Sequence, residues 1–273
     1  MLRIVWDIHY KCSYRCPYCW FKDDMGSRYL KIRHISSQEW IERWNYIYGI
    51  YGPNHIEITG GEPFIYDNFV YLVKEISKCH NIRITTNLSV NIGNFTSEFN
   101  PERVKIISSF HPTFVEIDIF LKKAAVLKEK GYGNTVVYVA YPPQLKLIDY
   151  YKKMFEDKGI VFSVTPFCGT YKGLNYPNAY SDSEKKILGQ NIGEDEDRLK
   201  YTLNSESPRG KLCQAGQRSV LLFEDGKVAR CGPLKFRPFA NLFDKDFKLL
   251  EEPQPCESDF CPCDDQKSIL ENQ

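Results

Sequence analysis

Two rhythms of apolar and polar residues alternate over the first 167 positions. Short runs with strand character recur at Arg3–His9, His55–Thr59, Ile82–Thr86, Val104–Phe110, Thr135–Ala140 and Ile160–Thr165. They are rich in Ile, Val and Thr, and Gly, Pro or Asn punctuates most of their ends. Between them apolar residues recur at helical spacing. Ser36-Ser37-Gln38-Glu39 reads as a capping box that opens a helix through about Tyr48, with Trp40, Ile41, Trp44 and Ile47 on one face. Further helices are expected around Asn68–Lys78, over about Ile117–Lys130 with a stop at Gly131, and around Leu145–Asp157 with a stop at Gly159. Six strands alternating with helices predict an α/β fold built on a parallel sheet. Six units are too few for a closed eight-fold barrel, which takes about 250 residues.

The chemistry-bearing residues fall just after strands, where parallel α/β folds bind ligands. Cys12, Cys16 and Cys19 lie within eight residues, directly behind the first strand. Three thiolates on one tight loop can hold three corners of an iron–sulfur cube. No fourth cysteine lies nearby, so one iron keeps an open position for a chelating small molecule. Zinc sites favour CxxC pairs with a second pair or a His close by, and disulfides need an oxidising compartment. The second strand runs into Gly60-Gly61-Glu62-Pro63.

Residues 168–211 are rich in Gly, Asn, Ser and charge and read as a bridge, with one short helix near Ser183–Gln190 and a solvated acidic run at Glu194–Asp197. Residues 212–273 hold a second cysteine group. Ser219–Phe223 and Val228–Cys231 flank Asp225-Gly226 and predict a β-hairpin. Cys213 and Cys231 bracket it, and Cys256, Cys261 and Cys263 follow. Four of the five can supply thiolates to a second cube, and a structural zinc is the alternative. The favoured set is Cys213, Cys231, Cys261 and Cys263, with Cys256 the weakest member.

Composition narrows the class. Hydrophobic residues make up 42% and charged residues 26% of 273, an ordinary globular mix. Lys and Arg number 36 against 35 Asp and Glu, so the formal charge is 36 − 35 = +1, which argues against general nucleic-acid binding. The N-terminus has no signal-peptide core and no stretch reaches about twenty apolar residues, so neither export nor a membrane span is expected. The expectation is a cytoplasmic protein in a reducing compartment that suits its ten cysteines.

The CxxxCxxC triplet followed by Gly60-Gly61-Glu62-Pro63 resembles the radical SAM superfamily. The resemblance implies a partial (β/α)6 barrel over residues 1–167, a [4Fe-4S] cluster on Cys12, Cys16 and Cys19, and S-adenosylmethionine (SAM) on the open iron. It implies that the Gly60–Pro63 turn holds the SAM amino group and that the backbone of Tyr18 meets the adenine. One electron, from a flavodoxin- or ferredoxin-type donor, then breaks the sulfonium and yields a 5′-deoxyadenosyl radical. The arrangement Cys213, Gly226, Cys231 and later cysteines resembles the SPASM and twitch extensions, and implies one auxiliary [4Fe-4S] cluster in a small C-terminal hairpin and cysteine-rich extension. The tail spacing CxxxxCxC departs from the CxxC of those extensions.

By the same analogy Asn87 and Ser109 lie at strand ends that contact the cofactor. A turn role for Asn87 and an ordinary strand serine at Ser109 are the plainer alternatives. His111 points to the same edge and can contact cofactor or substrate or donate a proton. Cys168 can give a hydrogen atom to a substrate radical or simply pack. His9, Tyr10 and Tyr141 are weaker candidates, and Trp20 and Phe21 can shield the cluster from water. Two enzymatic readings follow: hydrogen abstraction from a small molecule, ending in a two-electron dehydrogenation, or crosslinking or epimerisation of a ribosomal peptide. A chain that starts at the first strand is expected to favour a small substrate or a stand-alone leader binder. A non-catalytic metal-binding scaffold is the reading from outside enzymology.

Overall fold

The computed structural model describes residues 1–22, 34–192, 198–262 and 264–270. The acidic run and Cys263 lie outside the described residues. The alternating runs form β1 (Arg3–Asp7), α1 (Ser37–Tyr51), β2 (His55–Thr59), α2 (Phe69–Ile76), β3 (Asn81–Thr86), the short α3 (Gly93–Thr96), β4 (Val104–Phe110), α4 (Ile117–Glu129), β5 (Thr135–Ala140), α5 (Ile148–Glu156) and β6 (Val161–Pro166). The chain continues through β7 (Gly169–Tyr171), β8 (Leu174–Tyr176), α6 (Asp182–Gly189), β9 (Leu212–Cys213), β10 (Ser219–Leu222), β11 (Lys227–Ala229), β12 (Ala240–Asn241) and β13 (Gln254–Pro255).

Strands β1 to β6 pair in chain order and in parallel. The fold is α/β with a mostly parallel sheet, compatible with a radical SAM partial barrel. Strand alternation gives that sheet two unlike faces. Ile4, Ile56, Ile82 and Val104 are register partners in one row, and Trp6, Ile58, Ile84 and Ile106 form the next, all buried. Trp6 packs against Trp40 and Trp44 of α1, with ring centroids 4.6 and 5.2 Å away. On the other face lie Arg3, Val5 and Asp7 of β1, Glu57 and Thr59 of β2, Thr85 of β3, Ser109 of β4, Val139 of β5 and Thr165 of β6, all lining one cavity.

The capping box is present: Ser36 Oγ accepts from Glu39 N–H at 3.3 Å, and Glu39 Oε2 accepts from Ser36 N–H at 2.9 Å. The helix runs to Tyr51, past the expected Tyr48, because the residue that can take a positive φ and end it is Gly52 (φ +69°). The bridge holds more than one short helix. Lys172 and Gly173, at φ 49° and 76°, turn β7 back onto β8 as a hairpin. The expected C-terminal hairpin is β10–β11, and it joins the main sheet: β10 lies parallel to β1, with Arg3 opposite Ser219. Among the described residues no helix is long and apolar enough to cross a membrane.

A charged triad spans the inner face. Glu57 accepts from Arg3 at 2.8 and 3.0 Å, and the Arg83 guanidinium stands 2.5 Å away. Burial alone would raise the Glu57 pKa, but hydrogen bonds from His55 and Arg3 and the two guanidinium charges hold it well below the carboxylate range. A depressed carboxylate pKa stabilises the fold above the unfolded value, about 4.3, and loses that effect as pH falls through the folded value. Glu57→Gln is therefore expected to cost on the order of 2 kcal/mol at pH 7, since it leaves two guanidinium groups without their shared anion. Denaturant unfolding at stepped pH checks this, with the gap between the two proteins closing below about pH 4.

Candidate active site

Backbone contacts stitch the Gly60–Pro63 turn to the loop after β1. Gly61 N–H donates to His9 O at 2.7 Å, and Glu62 N–H to Lys11 O at 2.8 Å. The approach is so close that a Cβ on Gly61 would sit 1.8 Å from Lys11 O, and one on Gly60 2.2 Å from His9 O. Gly60 also holds φ +122°, which L side chains rarely adopt. Glu62 turns away from the cavity. Its fully buried carboxylate accepts from Thr86 Oγ1 (2.8 Å), Asn87 N–H (2.8 Å) and Phe64 N–H (3.2 Å). Burial raises its pKa, and these donors oppose the rise. Glu62 thus fastens the turn to the end of β3. Pro63 follows in a helical turn behind it, and the His9 ring bonds Glu62 O at 2.9 Å. His9 is a scaffold residue.

The loop so fixed carries Cys12, Cys16 and Cys19 around the mouth of a cavity of about 440 Å³. Gly60, Gly61, Asn87, Ser109, His111 and Cys168 line the same space. Cys12 and Cys16 carry no disulfide. Cys12 Sγ accepts from Tyr14 N–H at 3.4 Å and from Asn87 Nδ2 at 3.5 Å. Asn87 also forms a turn, with Oδ1 accepting from Ser89 N–H at 2.8 Å, so the two roles expected of it coexist. The sulfurs are spread around the mouth: among the described residues no three Cys, His, Asp or Glu side chains converge closely enough to hold a single ion. Burial, followed by the neighbouring Cys19 and Cys12, pushes the Cys16 thiol up to about 12. Bound as thiolates, three such sulfurs around one mouth would need a cationic group among them. The donor set, its spread and the adjoining cavity fit an iron–sulfur cube with a small-molecule ligand.

Tyr18, Ser109 and His111 form one unit. The Tyr18 hydroxyl and His111 Nδ1 share a hydrogen bond at 3.2 Å, and His111 Nε2 and Ser109 Oγ share another at 3.0 Å. Burial lowers the His111 pKa to about 4, so the imidazole is neutral at pH 7 and is not a stored proton. Tyr141 packs on Tyr18 at 5.1 Å, and Tyr14 stacks on Phe114 at 4.8 Å. Trp20 and Phe21 line the cavity mouth.

The second cysteine group also assembles. Cys213, Cys231 and Cys261 are buried together with Tyr201, Ala215 and Ile269, and Cys256 packs against them half-buried. Cys263 lies outside the described residues. Arg230 holds the tail in place: its guanidinium donates to Ala215 O, Gln254 O and Pro255 O at 3.0 to 3.1 Å. Gly232, next to Cys231, and Pro262, next to Cys261, line the cavity that the first three thiols face. Sequence reasoning did not single out Asp7, Glu57, Lys235 or Arg230. The alternation of β2, His-Ile-Glu-Ile-Thr, was a usable signal for Glu57, because it puts that residue on the face opposite the Ile rows, whereas the Ile-Val-Trp run of β1 marks Asp7 less clearly. Lys235 and Arg230 carried none.

Residues 6–135 match the family model described as Radical SAM superfamily. Over 203 residues the chain is 35% identical to the GTP 3′,8-cyclase of Staphylococcus epidermidis, covering 64% of this chain and 57% of that protein. Against the GTP 3′,8-cyclase of Mesorhizobium japonicum it is 29% identical over 104 residues, or 36% and 30% of the two chains. The match thus spans little more than half the length of the first of these relatives. Among solved structures, native anSMEcpe with bound AdoMet superposes with a TM-score of 0.63 at 15% identity, covering 89% of this chain and 78% of that one. Native anSMEcpe with bound AdoMet and Cp18Cys peptide gives 0.60 at 14% identity, covering 88% and 76%. At such identities the likeness is one of fold.

The glycine seam makes a contrast that unfolding experiments can check. Gly61→Ala drives a Cβ into a backbone carbonyl and is expected to cost on the order of 2 kcal/mol. A Cβ on Gly49, inside α1, would meet no atom within 4 Å, so Gly49→Ala is expected to stabilise by about 0.5–1 kcal/mol.

Proposed function

We propose that the radical SAM domain holds a [4Fe-4S] cluster on Cys12, Cys16 and Cys19, cleaves SAM reductively, and abstracts a hydrogen atom from a substrate bound in the cavity. One observation carries this reading: the three thiols, the glycine turn and the strand ends at Asn87, Ser109 and His111 line a single space. When bound, the cluster and SAM supply a 5′-deoxyadenosyl radical, made by one electron from a flavodoxin- or ferredoxin-type donor. The chain's own residues do the rest. The backbone of Gly60 and Gly61, which lines the cavity, meets the polar end of SAM, and Glu62 keeps that turn rigid. Tyr18, fixed by His111 and Ser109, offers its backbone to the adenine. Trp20 and Phe21 exclude water from the mouth, where a dry, low-dielectric shell tunes the cluster.

We read the second cysteine group as an auxiliary [4Fe-4S] cluster on Cys213, Cys231 and Cys261, with Cys263 or Cys256 as the fourth ligand. Support comes from the burial of three of these sulfurs together and from Gly232 and Pro262, which border both that group and the cavity. Such a cluster gives a radical in the cavity an electron acceptor, which the dehydrogenation and crosslinking readings need and epimerisation does not. A small polar molecule or a peptide side chain is the substrate class we propose for the space, whose described lining carries the cations Arg3, held by Glu57, and Lys235.

Anaerobically reconstituted protein given dithionite and SAM is expected to release 5′-deoxyadenosine, and Cys16→Ala is expected to release none. A wild-type protein that forms no nucleoside would contradict the reading. Iron analysis tests the auxiliary cluster separately: about eight irons per chain are expected, against about four if only the first cube forms.

A further inference from the structure

We infer that the side-chain amide of Gln266 donates a hydrogen bond to a sulfur of the auxiliary cluster and raises the reduction potential of that cluster. The inference rests on the auxiliary-cluster reading above. It starts from a buried polar group with nothing to bond. Gln266 is fully buried, and neither its Nε2 nor its Oε1 has a hydrogen-bond partner among the described residues. Buried side-chain amides are nearly always paired, because burial takes away the water they would otherwise bond. An amide left over in this way points to a partner that the polypeptide does not supply.

The fold of the tail puts that amide beside the second cysteine group. Asp264–Ser268 form a tight helical turn, and Ile269 N–H donates to Gln266 O at 3.0 Å. At three residues per turn, side chains at i and i+3 share one side, so Gln266 stands over Ile269. Lys267, between them, is exposed. Ile269 is buried in one cluster with Cys213, Cys231 and Cys261. The register is fixed on both sides of Cys213. Ile269 forms a bridge with Cys213, Gln214 N–H donates to Ser268 O at 2.7 Å, and Leu270 N–H donates to Leu212 O at 2.8 Å. The same turn packs against the helical segment Arg198–Leu203, from which Thr202 Oγ1 donates to Cys261 O at 3.2 Å.

The chemistry of the two partners matches. The sulfides and thiolates of a cluster are anionic acceptors, and an amide N–H is a neutral donor that suits them in a pocket walled by sulfur and hydrocarbon. Reduction adds negative charge to those sulfurs. The N–H dipole therefore stabilises the reduced cluster more than the oxidised one, and the potential rises. A higher potential makes the cluster a better acceptor for an electron from a radical in the cavity. Gln266 is thus a positioning and tuning residue. It keeps both amide protons while the electron enters and leaves the cluster.

The test isolates the second cluster. In protein carrying Cys12→Ala, Cys16→Ala and Cys19→Ala, anaerobic reconstitution is expected to load about four irons per chain. In that background Gln266→Met replaces the amide with an unbranched apolar chain of similar length. A redox titration followed by electron paramagnetic resonance is expected to show the potential fall by about 59 mV, a tenfold change in the one-electron equilibrium constant. An unchanged or higher potential in iron-loaded Gln266→Met protein overturns the inference and leaves the auxiliary cluster standing. No iron in the background protein, or zinc in its place, overturns both. A second readout does not depend on the variant loading its cluster. With glutamine labelled with nitrogen-15 at the side-chain amide, pulsed electron paramagnetic resonance of the reduced cluster is expected to resolve a coupling that unlabelled protein lacks. Absence of that coupling, or its survival in Gln266→Met, overturns the inference.

Discussion

The site depends on a seam of two backbone hydrogen bonds between the Gly60–Glu62 turn and the loop after β1. Gly61 and Glu62 donate to His9 O and Lys11 O, and the absence of a Cβ at Gly60 and Gly61 allows that approach. One residue later the Glu62 carboxylate is occupied by Thr86, Asn87 and Phe64. Three strand ends are thereby locked to one another, and the cysteine loop grows out of the locked point. A buried carboxylate with three donors is stable only while all of them stay in place. The geometry of the three thiols is thus inherited from polar contacts that point away from the cavity.

The second organising feature is the unlike pair of faces on the parallel sheet. One face is a continuous apolar surface under α1 and its neighbours, and the other is polar and open. The charged triad of Arg3, Glu57 and Arg83 lets ionised groups sit on that inner face at low cost, since each charge has a partner. Strand β10 extends the same sheet beyond β1, so the tail that carries Cys231 is bound to the strand that precedes Cys12. The two cysteine groups are coupled through β1 itself, which explains how residues 200 positions apart in sequence border one cavity.

Much of this was legible in the chain. The limits of β2, β4 and β5 match the strand-like runs residue for residue, because Gly60, Pro112 and Pro142 follow within two residues of their ends. The capping box at Ser36 and the Asp225-Gly226 turn were readable because their chemistry is local. The pairing of β10 with β1 was not. Ser-Val-Leu-Leu at 219–222 signals burial on both faces but not the identity of its neighbour. Glu62 pointed toward the cofactor by motif, yet its carboxylate serves the fold, a distinction that depends on partners 24 and 25 residues away. The side that Cys168 faces was equally hidden, since alternation stops being informative once β6 ends at Pro166.

The central claim is that three thiols leave one iron of a cube open to a small ligand beside Gly60 and Gly61. Low-temperature electron paramagnetic resonance of the reduced, reconstituted protein, titrated with SAM, tests it most directly, with Cys213→Ala and Cys231→Ala used to remove overlap from a second cluster. Ligation at the open iron predicts that SAM shifts the g values of the remaining signal. A signal that SAM leaves unchanged, in protein shown to carry the cluster, would contradict the account.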